Sequence, residues 1–79
     1  MSEQEVYEVA ATAGLTLRTL HTGLYEVCET WAQVIISNST GPWRVCVYRR
    51  YNRLKRWKTL YKGPRLETAL RHAAGWVKS

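Results

Sequence analysis

The side chains best able to do covalent chemistry are sparse in this chain. It has two histidines, His21 and His72, two cysteines, Cys28 and Cys46, and no aspartate. Seventeen residues separate the cysteines and no C-x-x-C pair occurs, whereas structural zinc sites draw on tighter ligand pairs. No glycine-rich phosphate loop is present. His21 and His72 read as surface residues and the cysteines as free thiols. The expectation is a non-catalytic protein with no metal and no cofactor.

The dense chemistry lies elsewhere, from Trp43 to Arg65, in WRVCVYRRYNRLKRWKTLYKGPR. These twenty-three residues hold nine Lys/Arg and no acid, with Trp43, Tyr48, Tyr51, Trp57 and Tyr61 interleaved. Cations neutralise phosphates and release condensed counterions, while aromatic faces stack on unpaired bases. A two-stranded ribbon also matches the width of a DNA major groove. Alternation assigns Arg44, Tyr48, Arg50 and Lys58 to the outer face of a hairpin, with Arg49, Arg53, Lys55 and Arg56 around its tip. These eight are the candidate nucleic-acid-binding residues. A solvated basic edge that resists aggregation is the plainer reading, but a surface shaped only for solubility would mix signs.

Charge is segregated along the whole chain. Residues 1–42 carry Glu3, Glu5, Glu8, Glu26 and Glu29 against Arg18, a net of −4, and residues 43–79 carry eleven Lys/Arg against Glu67, a net of +10. The total is +6. Such asymmetry suits an anionic partner, DNA or RNA first and an acidic protein second. It also permits a homodimer joined acidic half to basic half.

The elements that must position these groups follow from periodicity. Trp43–Arg50 alternates, with Trp43, Val45, Val47 and Arg49 on one face and Arg44, Cys46, Tyr48 and Arg50 on the other. Arg56–Lys62 forms the next strand, with Trp57, Thr59 and Tyr61 against Lys58, Leu60 and Lys62, and residues 51–55 close the hairpin. Ala32–Ser37 supplies a third strand through the turn formers at 37–42. Beyond Gly63 as N-cap and Pro64 as first helical residue, a C-terminal helix is predicted, its stripe being Leu66, Ala69, Leu70, Ala73 and Val77.

The N-terminal third favours two helices, one marked by Val6, Val9, Ala10 and Ala13 and ending near Gly14. The stripe of the second is Leu17, Leu20, Leu24, Val27, Cys28 and Trp31. The segment EVAATAGLTLRTL, residues 8–20, resembles a helix-turn-helix, with Ala10, Gly14 and Leu20 at the small, turn and apolar positions. That resemblance covers thirteen residues and implies DNA reading by a helix whose sole base is Arg18. The alternative is a hairpin of Leu15–His21 and Leu24–Glu29 around Thr22-Gly23.

A chain of 79 residues has room for one domain and one core. The N-terminus has no secretory pattern, and Val34-Ile35-Ile36 is too short to span a membrane. A cytoplasmic protein without a membrane partner is therefore expected. The fold class is α+β, with a three-stranded antiparallel meander packed against the C-terminal helix and an N-terminal helical pair, or an extra hairpin, beside it. The function expected is that of a small nucleic-acid-binding accessory or regulatory domain. The alternative is a protein–protein interaction module, such as a compact phage-type inhibitor, docking on an acidic partner.

Overall fold

The computed structural model describes residues 2–30, 32–39, 41–48 and 57–78. The chain runs as α1 (Glu3–Thr12), β1 (Leu17–His21), β2 (Leu24–Val27), β3 (Gln33–Ser37), β4 (Trp43–Tyr48), β5 (Lys58–Gly63) and α2 (Leu66–Lys78). The strands form one sheet in chain order, β1-β2-β3-β4-β5, and every neighbouring pair is antiparallel. The α+β class holds, but among the described residues the sheet has five strands rather than three, and the N-terminal region holds one helix followed by the alternative hairpin rather than two helices.

Local chemistry accounts for each start and stop. Ser2 caps α1 by accepting the Glu5 backbone N–H at 3.3 Å, and Glu3 and Glu5 lie in the first turn, where carboxylates favour the helix dipole. Gly14 follows at φ 79°, the left-handed region in which glycine ends helices cheaply. The second helix expected from Leu17 onward is a hairpin instead. Gly23 takes φ 73° in the two-residue turn between β1 and β2, and a positive φ is what such turns require. The helical stripe was a coincidence of spacing: Leu17 and Val27 are buried, but Leu20 is 43% exposed and Leu24 is half-buried. The helix-turn-helix resemblance fails for the same reason, because its second helix falls on β1.

Both helices lie on one face of the sheet. Val6 and Ala10 of α1, and Leu66, Ala69, Leu70 and Ala73 of α2, join Tyr25, Val27, Val34, Ile36, Trp43, Val45 and Val47 in a single core. Each fully buried aliphatic side chain of this kind contributes about 1.5–3 kcal/mol relative to exposure. The predicted alternation of β4 is observed, as Trp43, Val45 and Val47 are buried and Arg44, Cys46 and Tyr48 are half-buried on the other side. The stripe of α2 is also observed, with Ala74 added and Val77 packed at its margin. The helix begins at Leu66, so Gly63 closes β5 rather than capping α2.

Each outer strand carries one extra residue. On β1, Thr19 stands opposite Tyr25 and His21 opposite Leu24, which leaves Leu20 bulged. On β5, Tyr61 stands opposite Val45 and Thr59 opposite Cys46, which leaves Leu60 bulged. Bulges bend and twist an edge away from further strand pairing. Side chains tie α1 to β1, since Thr19 donates to Glu3 and shares a hydrogen bond with the Tyr7 hydroxyl. Tyr25 lies beside this group, and burial first, then the nearby Glu3 and Tyr7, hold its phenol above its ordinary pKa. Among the described residues, no helix is long and apolar enough to cross a membrane.

Candidate nucleic-acid interface

With both helices on one side, the other face of the sheet is left open, and its side chains follow from strand register. Directly opposed residues on antiparallel strands share a face. Arg18 stands opposite Glu26, Glu26 opposite Ile35, and Ile35 opposite Cys46. Cys46 in turn stands opposite Thr59, and the Cys46 Sγ lies 3.8 Å from the Thr59 Oγ1. Near one end of the sheet, Ser37 stands opposite Arg44 and Arg44 opposite Lys62. Near the other end, Gln33 stands opposite Tyr48.

The extra residue in β5 decides which of its groups reach this face. Simple alternation would place Lys58 and Lys62 together and Trp57 with Tyr61. Leu60 resets the parity. Thr59 and Lys62 lie on the open side, while Leu60 and Tyr61 pack toward the helices. The Tyr61 ring stacks on His72 of α2 with centroids 5.2 Å apart. Lys58, opposite the buried Val47, belongs to the helix-bearing side and not beside Arg44 and Tyr48. Trp57 takes the open side instead. Its ring packs on Tyr48 with centroids 5.3 Å apart, yet it remains 50% exposed.

Of the eight residues singled out from the sequence, Arg44 and Tyr48 stand together on the open face and Lys58 does not. Arg49, Arg50, Arg53, Lys55 and Arg56 lie outside the described residues. Trp57, Lys62 and Ser37 join the face without having been singled out. Register supplies Ser37 and Lys62, and the ring contact with Tyr48 supplies Trp57; in the sequence, alternation sets Lys62 on the outer side and Trp57 stands among the interleaved aromatics. As expected, the β4–β5 ribbon has a further strand beside it, because β3 flanks β4.

Electrostatically the open face has two different halves. At β1–β2, Arg18 forms an ion pair with Glu26, and Gln33 donates to the second oxygen of Glu26 at 3.0 Å. At β4–β5, Arg44 faces Lys62, and among the described residues no carboxylate pairs with them. The Nε–H of Arg44 is buried with no acceptor, a state that is costly to leave unmade. The exposed Glu3, Glu5 and Glu8 ride on α1, on the far side of the sheet. Among the described residues, no ion pair joins an N-terminal glutamate to a base of residues 43–79.

Both cysteines are free and half-buried. Among the described residues, no three His, Cys, Asp or Glu side chains gather where they would hold a metal ion. Comparison of the chain with protein-family models, curated proteins and solved structures found no match.

Proposed function

We propose that this protein is a small, non-catalytic nucleic-acid-binding accessory or regulatory domain of the cytoplasm, and that it works through the β4–β5 side of its open sheet face. One observation carries the reading: Arg44 and Lys62 stand directly opposite each other with no acid beside them, on the same face as the Tyr48–Trp57 ring pair. Like charges placed directly across strands are destabilising, and an anion from outside relieves them. The sequence adds Arg49, Arg50, Arg53, Lys55 and Arg56 between that ring pair's two members. Cations to meet phosphates and rings to meet bases are the two ingredients of nucleic-acid surfaces.

The test is a titration of labelled single- and double-stranded DNA and RNA at several salt concentrations. An Arg49→Glu/Arg50→Glu/Arg53→Glu variant serves as control. Several phosphate contacts give a log–log salt slope of several negative units, and the variant flattens it. Absence of binding at about 50 mM salt, or micromolar binding indifferent to salt, would overturn the reading. Retention of a single stoichiometric protein from nuclease-treated extract, with no nucleic acid bound, would replace it with docking on an acidic protein.

A further inference from the structure

Resting on the nucleic-acid reading above, we infer that the β4–β5 side of the open face is a subsite for an unpaired strand. Bases lie against Trp57 and phosphates sit on the Ser37–Arg44–Lys62 row. Three observations lead there. The first is width. Five strands spaced about 4.8 Å apart make a face about 19 Å across, and a major groove is about 12 Å wide. A duplex therefore cannot bring its base edges onto this surface, and β4 cannot leave the sheet to enter a groove because β3 and β5 flank it.

The second observation is the ring pair. Trp57 leans on Tyr48 on one side and is half exposed on the other. A braced indole with an open surface is a stacking platform for a base already out of a helix. The third is the cation row at the opposite end of the same strand. Arg44 and Tyr48 are four residues apart on β4, about 13 Å at roughly 3.3 Å per residue. Ser37 stands in register on one side of Arg44 and Lys62 on the other. A hydroxyl, a guanidinium and an ammonium borne on one cross-strand row suit a phosphate. Between the two ends lie Ile35, Cys46 and Thr59, which offer neither charge nor a large ring. A short run of strand laid along β4 would thus cover the Cys46 thiol.

That thiol supplies a direct readout. The intact protein is mixed with a short fluorescein-labelled oligo-dT, or with a hairpin duplex of matched length, and treated with a maleimide. Alkylation at each cysteine is then followed by mass spectrometry. Oligo-dT is expected to slow modification of Cys46 severalfold while leaving Cys28, beside Glu29 and Thr30 beyond β2, unchanged. Trp57→Ala, at an exposed position, is expected to weaken oligo-dT binding roughly tenfold and duplex binding little. Equal affinity for duplex and single strand, or tight oligo-dT binding that leaves Cys46 as reactive as before, would overturn the subsite while sparing the wider nucleic-acid reading. Failure of every nucleic acid to bind at about 50 mM salt removes that wider reading and the subsite together.

Discussion

The first and last hairpins of the sheet fill the same slot in opposite ways. Each places two long charged side chains directly across from one another on the open face. In the first they are Arg18 and Glu26, which form an ion pair; in the last they are Arg44 and Lys62, which cannot. An opposed pair of unlike charges contributes about 0.2–1 kcal/mol to a sheet, and like charges oppose it. The β1–β2 half is therefore arranged for its own stability, whereas the β4–β5 half gives some up. A local loss of that kind is relieved when an anion settles on the pair.

That contrast can be broken at several points. The largest effect is expected from reversing the uncompensated pair. Arg44→Glu/Lys62→Glu should weaken oligonucleotide binding at least a hundredfold at low salt and reduce the salt slope by about two, measured by fluorescence anisotropy. Arg18→Glu, in the compensated half, should change affinity far less. Next comes Gly23→Ala. A Cβ there would meet the Asn38 Oδ1 at 2.5 Å, and the residue sits at φ 73°. A loss of about 1–3 kcal/mol is expected in denaturant unfolding, with binding by the folded fraction retained. Equal loss of binding per folded molecule would mean that the two halves are not separable.

A smaller effect isolates the exchange of stability for binding. Lys62→Glu makes the last hairpin like the first, so unfolding is expected to cost about 0.2–1 kcal/mol more while oligonucleotide affinity falls. A variant that lost both would show that Lys62 is held by contacts other than the ones argued. The smallest effect lies on the helix-bearing side. The folded chain holds the Tyr25 phenol above its ordinary value of 10.0, through burial and then Glu3 and Tyr7. The stability linked to that proton is fully present below the unfolded pKa. It is lost as pH rises above about 10 toward the folded value. Tyr25→Phe is expected to flatten this alkaline decline, as followed by circular dichroism, without altering binding at neutral pH.

The two hairpins also differ in how much of them could be read from residues alone. β3, β4 and α2 announce themselves, because Val34 and Ile36, Trp43, Val45 and Val47, and the Leu66–Ala73 stripe keep strict periods from end to end. β1 and β5 do not, and the cause is the same in both. A bulged Leu20 interrupts the alternation of β1, so that its leucines fall by chance at helical spacing. A bulged Leu60 interrupts β5 and exchanges the sides assigned to Lys58 and Trp57, while Tyr61 and Lys62 keep theirs. Bulges are set by the pairing partner and the edge position, neither of which is visible in a local window. The basic and aromatic content of the interface was therefore plain in the sequence, while its membership was not. Arg44 and Tyr48 were found and Lys62 fell on the correct side, but Ser37 needed the register and Trp57 its contact with Tyr48.

The extra residue in β5 means that the composition of the open face depends on counting as much as on identity. Insert one residue between Lys58 and Thr59 with Leu60 still bulged, and the indole would be turned to the helix-bearing side while the ammonium of Lys58 came up beside Tyr48. A surface suited to bases would become one suited only to charge, though no other side chain had been exchanged. Along this strand, a one-residue insertion is a larger functional event than most substitutions, whereas loss of the bulged residue leaves the face as it is.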